Sequence, residues 1–131
     1  TWWEMKIPSG DVIFGDAKTD MLGYDSSKFK KYEDFTKLLH KDDYEAVMQS
    51  MRDHLKGKED CYESIYRIRK KDGSYIKFYD CGQIVKKEEK NIVVMGFVMK
   101  IEEGQDIKKF KEIIIDGEPS MVDLIKEMKL K

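Results

Sequence analysis

The chain has 131 residues, enough for one domain, and 40% of them are apolar, which suffices for one hydrophobic core. Its formal net charge is −1 with both signs interspersed, which argues against nucleic acid or an anionic membrane as the main partner. No apolar run approaches the roughly 20 residues of a membrane span, and no signal peptide opens the chain. We therefore expect a cytoplasmic domain without direct membrane contact. Because it begins with Thr1, we expect a piece of a longer protein, whose membrane anchor, if it has one, lies elsewhere.

The first 40 residues predict two short strands followed by broken helices. Strands are expected at residues 3–7 and 12–16, with a turn at residues 8–11 between them. The following segment has helical pieces interrupted at Gly23, and Asp25 or Ser26 is expected to cap a helix that starts near Ser27.

The clearest predicted helix spans residues 40–59. Asp42 followed by Glu45 suggests a capping box, and Gly57 stands where such a helix would stop. Its apolar stripe comprises Tyr44, Val47, Met48, Met51 and Leu55. The stripe predicts a helix that packs one face on the core.

Three longer strands are predicted after this helix, at residues 61–70, 75–85 and 91–101. Asp72 and Gly73 form a turn dipeptide between two runs that alternate apolar and charged residues, which is typical of a β-hairpin. The charged run 86–90 is expected to form an exposed loop. Strands joined by short turns around a helical block predict an α+β domain, an antiparallel sheet with helices on one face.

The segment from residue 104 to residue 131 has a different character, charged and amphipathic. We predict a core domain at residues 1–103 and a partly helical C-terminal tail or linker at 104–131. Met121, Val122, Ile125 and Met128 are spaced as on one helix face, so the tail is expected to pack on the sheet or pair with a second copy. Removing it should leave the core folded and weaken self-association.

Five short motifs follow one another along the chain. They are "WEMKIPSGDVIFGD", "MLGYD", "LLHKDDYEAV", "YRIRKKDGSYIKF" and "GFVMKI". From the first to the last they span about three quarters of the chain, and in their residues and order they resemble a PAS domain of bacterial and archaeal signalling proteins. Departures from the family pattern occur at Lys41, Ile65, Phe78 and the closing Lys100, Ile101 and Glu102. The last three replace the terminal motif that the family uses in signal transmission, which makes them signal-transmission candidates.

The resemblance implies a five-stranded antiparallel sheet with helices over one face and a small cavity between them. It also implies a regulatory module without enzymatic activity of its own, carried by a larger protein such as a histidine kinase or a diguanylate cyclase. Such a module binds a small ligand, forms a homodimer and acts on a covalently linked effector domain. Two alternatives stay open: a dimerisation or relay module without a ligand, and a small stand-alone enzyme or carrier. The last would require a polar cluster with shifted pKa values in a cleft.

Apolar side chains of the helices and central strands are the candidate lining of the ligand pocket. They are Phe14, Met21, Phe35, Leu39, Val47, Met48, Met51, Tyr66, Ile68, Phe78, Met95 and Phe97. Met48 and Met51 would make an adaptable wall, because thioethers fill irregular space. The competing interpretation is that these side chains only close the core. A shift of one residue in the pairing of β-strands would turn their side chains to the other face, and in the first strand of the hairpin Ile65 and Arg67 would then replace Tyr66 and Ile68.

The sequence favours no cofactor and no catalytic or metal site. Cys61 and Cys81 fit neither a disulfide framework nor zinc spacing, so we expect reduced cysteines. Haem-binding PAS sensors use a helix histidine, which makes His54 the haem-ligand candidate. It lies roughly 70° from the centre of the apolar stripe and is expected to face solvent, so haem is not favoured. Photosensing relatives have a cysteine before the central strands, where this chain has "FTKLLHKDD", so flavin is not favoured either.

Overall fold

A computed structural model describes residues 1–102 of the chain, and the predicted tail lies outside the described residues. The described elements are β1 (Trp2–Ile7), β2 (Val12–Phe14), α1 (Ala17–Leu22), a 3₁₀ turn (Ser26–Lys28), α2 (Tyr32–Thr36), α3 (Lys41–Leu55), β3 (Tyr62–Arg69), β4 (Tyr75–Glu88) and β5 (Asn91–Lys100). The strands form one five-stranded sheet in the order β2-β1-β5-β4-β3, with antiparallel neighbours. The predicted α+β fold is therefore confirmed.

The hairpin of β3 and β4 has the turn that its sequence predicts. Gly73 adopts a φ of +92°, and Asp72 accepts a hydrogen bond from the backbone N–H of Ser74 at 2.8 Å. Tyr66 pairs with Phe78 across the ladder, so their side chains lie on the same face of the sheet. Since Phe78 is completely buried and Tyr66 is 3% exposed, this face is the one that packs on the core.

Strand β4 runs further than its charge pattern predicts. The run 86–90 was expected to be a loop, but β4 continues to Glu88 and the turn is confined to Glu89 and Lys90. Lys86, Lys87 and Glu88 pair with Val93, Ile92 and Asn91 of β5, after a bulge between Ile84 and Lys86. Charged side chains that point into solvent do not interrupt the backbone ladder, so the charges indicate exposure and not a loop.

The helices begin and end at different residues from those the sequence indicates. Asp16, predicted in a strand, precedes the first residue of α1, and Gly23 ends that helix in the left-handed region with a φ of +86°. Asp25 accepts from the N–H of Ser27 as predicted for a cap, but it caps a 3₁₀ turn and not a longer helix. The imidazole Nδ1 of His40 caps α3 by accepting from the N–H of Asp42 at 3.1 Å.

The predicted capping box of α3 is therefore wrong, because Asp42 lies inside the helix. The neighbouring Asp43 accepts hydrogen bonds from the backbone and the guanidinium of Arg67, between 2.8 and 2.9 Å, and so ties α3 to strand β3. These bonds hold the pKa of Asp43 at about 2. Along the helix Val47 is buried, whereas Tyr44 at the end of the predicted stripe is 42% exposed.

His54, near the end of α3, is buried and not solvent-facing as predicted. Its Nδ1 lies 2.9 Å from the carbonyl oxygen of Glu59, and its Nε2 accepts from the N–H of Ile84 at 3.0 Å. The histidine thus joins the helix, the loop after it and strand β4. Helix periodicity could not reveal this, because the flank of α3 is covered by segments that are distant in sequence or irregular.

Two apolar clusters lie on opposite faces of the sheet, because successive side chains of a strand alternate. The cluster on the inner face, which the helices cover, comprises Leu22, Phe29, Leu38, Val47, Tyr62, Tyr66, Ile68, Phe78 and Val98. The cluster on the outer face comprises Tyr79, Cys81, Met95 and Phe97. Over residues 1–102, no helix is both long and apolar enough to cross a membrane.

Candidate functional site

A cavity of about 370 Å³ lies between the helices and the inner face of the sheet. Eight of the predicted pocket residues line it. They are Phe14, Phe35, Leu39, Val47, Met48, Met51, Tyr66 and Ile68. The structure therefore brings α2, α3 and strands β2 and β3 together around one apolar space, at the lower end of the size range of small-molecule sites.

The other four predicted pocket residues lie elsewhere. Met21 is 37% exposed, and Phe78 is buried in the inner cluster beside the cavity without lining it. Met95 and Phe97 were predicted on the wrong face and belong to the outer cluster. The run "VVMGFVM" in β5 is apolar at every side-chain position, so alternation of apolar and polar residues could not fix its register.

The wall of the cavity also carries four polar side chains joined by hydrogen bonds, of which only Tyr66 was predicted to line it. The ammonium of Lys18 donates to the hydroxyl of Tyr66 at 2.5 Å, and that hydroxyl donates to Oδ2 of Asp80 at 2.9 Å. The indole Nε1–H of Trp3 donates to Oδ1 of the same carboxylate at 2.7 Å. All four residues line the cavity, so one hydrogen-bonded chain connects α1 with strands β3, β4 and β1 along its wall.

Burial shifts the pKa values of Lys18, Asp80 and Tyr66. It lowers the pKa of Lys18 to about 8, although the nearby Asp80 opposes the shift. Burial raises the pKa of Asp80, opposed first by Lys18 and then by the hydrogen bonds from Tyr66 and Trp3. It also raises the pKa of Tyr66 well above its ordinary value, so this hydroxyl stays protonated. It can therefore accept a hydrogen bond from Lys18 and donate one to Asp80 at the same time.

Lys18 lies among aromatic rings. Its Nζ is 4.8 Å from the ring centre of Phe35, 4.9 Å from that of Tyr66 and 5.4 Å from that of Phe78. A ring face attracts a cation electrostatically, which partly offsets the loss of water around the ammonium. The three rings hold the charge at the edge of the apolar space.

Trp3 occupies space that two paired glycines leave free. Gly82 and Gly96 are opposite each other in β4 and β5, and the six-membered ring of Trp3 lies over both. A Cβ at Gly82 would stand 2.6 Å from Cη2 of Trp3, and one at Gly96 would overlap both the indole and the carbonyl of Cys81. The glycines thus allow the indole to lie flat across the sheet and reach Asp80.

One of the missed residues had a signal in the sequence. Asp80 is two positions after Phe78 in a strand, so a prediction that Phe78 faces inward also places Asp80 inward. A carboxylate at an inward position of an apolar strand indicates a buried polar site. Lys18 had no such signal, because a helix of six residues is too short to show a period.

The signal-transmission candidates lie at the end of the sheet. Lys100 is the last residue of β5, and its ammonium lies 3.3 Å from Oε1 of Glu102. The N–H of Ile101 donates to the carbonyl of Lys77 at 2.9 Å, and its side chain packs against the outer cluster. This places them where the chain leaves strand β5; their role in signalling stays a prediction.

The residues considered for cofactor or metal binding lie apart from the cavity. Both ring nitrogens of His54 face backbone groups, and His54 does not line the cavity. Cys61 and Cys81 do not form a disulfide, and burial raises the pKa of Cys81 to about 12. Within the described residues, no three His, Cys, Asp or Glu side chains are grouped so that they could hold a metal ion.

Comparison with known proteins agrees with this architecture. A family model described as the PAS fold matches residues 13–98. The N-terminal domain of a diguanylate cyclase with PAS/PAC sensor from Marinobacter aquaeolei superposes with a TM-score of 0.67 at 22% identity, covering 76% of this chain and 92% of that one. Among curated proteins, none matches the chain by sequence.

Two further structures share the fold. A sensory box histidine kinase/response regulator from Burkholderia thailandensis has a TM-score of 0.64 at 17% identity, covering 99% of this chain and 90% of that one. A domain described as part of a light and redox sensing histidine kinase from Haloarcula marismortui has a TM-score of 0.66 at 19% identity, with coverages of 77% and 88%. At these identities the likeness concerns the fold.

Proposed function

The chain belongs to the PAS family, and on that premise we propose that it is a regulatory module which binds a small ligand in the cavity beside Lys18. The observation that carries the proposal is an apolar cavity of about 370 Å³ with a hydrogen-bonded polar cluster in its wall. An apolar space with a few polar groups that converge on it is the usual form of a small-molecule site. The proposed compartment is the cytoplasm.

The parent protein that we propose is a histidine kinase or a diguanylate cyclase, since sensor domains of such proteins share this fold. In this proposal the module is a homodimer and acts on an effector domain linked to it. A ligand in the cavity would contact Lys18, Tyr66 and Asp80, which join helix α1 to the sheet. For a signal to pass, the ligand must bind two arrangements of these elements with different affinity.

Native mass spectrometry with an absorption spectrum tests the proposal on the protein as purified. We expect a small mass to accompany the polypeptide, and its absorption would distinguish haem or flavin from a colourless metabolite. Met51→Trp fills the cavity and should remove the bound mass, whereas Met21→Trp introduces the same residue at an exposed position and should retain it. A bound mass that survives Met51→Trp would place the ligand outside the cavity and contradict the proposal.

A second candidate function is a dimerisation or relay module without a ligand. The observation that favours it is the outer cluster on the face opposite the helices, where the partly buried side chains of Trp2, Val93 and Met99 pack against the buried residues. Sedimentation velocity of the purified chain over a range of concentrations tests this candidate. A concentration-dependent dimer that is unaffected by Met51→Trp, together with a bare polypeptide mass, would favour it over ligand binding.

A catalytic role requires groups with shifted pKa values in a cleft, and Lys18, Tyr66 and Asp80 form such a cluster. Their hydrogen bonds are made to one another, and burial keeps Tyr66 protonated. General base catalysis needs an acceptor that is free to take a substrate proton, whereas both oxygens of Asp80 already accept hydrogen bonds. We therefore propose binding and not turnover.

A further inference from the structure

The ammonium of Lys18 is incompletely bonded. Its side chain is buried, with 9% of the residue exposed, and the one hydrogen bond that it makes within residues 1–102 goes to the neutral hydroxyl of Tyr66. An ammonium has three N–H donors, so two of them remain without an acceptor among the described residues. Nor does Lys18 take part in any direct ion pair within residues 1–102.

Burial of a charge without an opposite charge is costly, and buried ammonium groups are normally paired with carboxylates. Asp80 is the carboxylate of this site, but it lies beyond the hydroxyl of Tyr66 and accepts hydrogen bonds from Tyr66 and Trp3. Its charge is therefore stabilised by two donors, whereas among the described residues the charge of Lys18 meets only one hydroxyl and the faces of aromatic rings. Lys18 therefore lacks a negatively charged acceptor for its remaining N–H donors.

We infer that the cavity takes a small monocarboxylate with an apolar body, whose carboxylate binds the free N–H donors of Lys18. The inference rests on the proposed function and names the class of ligand. The apolar body would lie against Phe14, Phe35 and Met51, which line the same space. A doubly charged phosphate is a poorer match, since Lys18 alone would leave its second charge unbalanced, and the guanidinium of Arg52, which also lines the cavity, is paired with Glu45.

The entry of a second carboxylate beside Asp80 does not leave an unbalanced negative charge. Burial already raises the pKa of Asp80, and a nearby ligand carboxylate raises it further, because like charges disfavour ionisation. Asp80 then takes up a proton, and the ligand becomes the counter-ion of Lys18. The polar wall of the cavity is thus suited to accept one anion.

Isothermal titration calorimetry near neutral pH tests the inference with matched probes. The first set is 4-phenylbutyrate, its neutral amide 4-phenylbutyramide and the cationic 4-phenylbutylamine; hexanoate and hexanamide provide an aliphatic body. For the unmodified chain we expect each carboxylate to bind at least about tenfold more tightly than its amide, and the amine to bind most weakly. Lys18→Met keeps the length of the side chain without its charge and should abolish the preference for the carboxylate while retaining the amide. Lys37→Met, at an exposed lysine, is the matched control and should behave like the unmodified chain.

The outcomes separate this inference from the proposed function. Equal affinity for carboxylate and amide, or a carboxylate preference that persists in Lys18→Met, would overturn the inference and leave ligand binding in place. Failure of all five probes to bind the unmodified chain would overturn the proposed function and the inference with it. The ratio of affinities in the unmodified chain is decisive by itself, so the test stands even if Lys18→Met does not fold.

Discussion

Trp3 and Asp80 are joined by a hydrogen bond of 2.7 Å that passes over the strand between them. Trp3 belongs to β1 and Asp80 to β4, and β5 separates these strands in the sheet. The indole can reach so far because Gly82 and Gly96 carry no side chain beneath it. Packing on the glycines and the hydrogen bond to the carboxylate thus depend on one another and fix the floor of the cavity.

The Trp3–Asp80 hydrogen bond should be measurable as a coupling energy. Trp3→Phe removes the indole donor, and Asp80→Asn removes the charge of the acceptor. A hydrogen bond to a charged group contributes about 1.5–3 kcal/mol, so Trp3→Phe should lower the free energy of unfolding by about that amount. The double variant should lose less than the sum of the single variants. Urea unfolding of all four proteins gives the coupling, and strictly additive losses would show that the bond contributes nothing.

Gly96 should not tolerate a side chain. In Gly96→Ala the new methyl carbon would stand 2.1 Å from the carbonyl oxygen of Cys81 in the neighbouring strand, so the backbone of the sheet would have to shift. We expect a loss of more than about 3 kcal/mol, at the upper end of effects of single substitutions. The control is Gly57→Ala, where nothing lies within 4 Å and only the positive φ of +79° opposes alanine. This control should cost about 1–2 kcal/mol. Similar melting temperatures of the two variants would argue against close packing of Trp3 on the glycines.

The burial of Lys18 should make the stability of the chain depend on pH in the alkaline range. Its pKa is about 8 in the folded chain and 10.5 as an ordinary lysine, so the unfolded state binds more protons between these values. Stability attributable to Lys18 therefore rises with pH in this window and is lowest below it. Tyr66, Tyr62 and Asp80 also face the site, and comparison with Lys18→Met cancels most of their contribution.

Relative to Lys18→Met, the unmodified chain should gain roughly 2 kcal/mol of unfolding free energy between about pH 7.5 and about pH 9.5. Urea titrations at several pH values measure the difference between the two proteins. A difference that does not change over this range would mean that Lys18 keeps an ordinary pKa, and hence that its ammonium reaches water.

His54 should contribute to stability through both ring nitrogens. In His54→Ala the N–H of Ile84 loses its acceptor in a half-buried position, and the carbonyl of Glu59 loses its partner. An unsatisfied donor away from water costs about 1–3 kcal/mol, so the loss at Ile84 should clearly destabilise this variant, whereas the carbonyl of the exposed Glu59 can bond to water. His40→Ala removes a cap at the other end of the same helix and should cost only about 0.5–2 kcal/mol. Thermal unfolding that ranks His40→Ala as the more damaging change would contradict the structural role of His54.

The features that could be predicted from sequence are those with a local cause. The turn at Asp72 and Gly73 sets the β3–β4 hairpin, and the stop at Gly23 ends α1, because each depends on backbone preferences of one or two residues. Eight of twelve proposed pocket residues line the cavity, since apolar residues of α2, α3 and β3 have one buried face.

The remaining features depend on contacts between distant segments. His54 is covered by residues of β4 and of the loop after α3. The spacing of apolar residues within a helix cannot show which other segments cover its flank. Met95 and Phe97 were placed on the inner face because β5 is apolar on both faces and its register follows from pairing with β1 and β4. The hydrogen bonds from Lys18 to Tyr66 and from Tyr66 to Asp80 connect positions up to 62 residues apart, so only the assembled fold brings these side chains together.

Ligand binding in the cavity can be measured directly by a ¹H–¹⁵N NMR titration of the indole N–H of Trp3 with 4-phenylbutyrate. This proton points at Asp80 in the cavity wall, and Trp2→Phe assigns its signal because the chain has only two tryptophans. If the ligand binds in the cavity, this signal should shift progressively and saturate with added ligand in the unmodified chain and in Met21→Trp, and should not shift in Met51→Trp. An indole signal that stays in place up to the solubility limit of the ligand would contradict binding in this cavity.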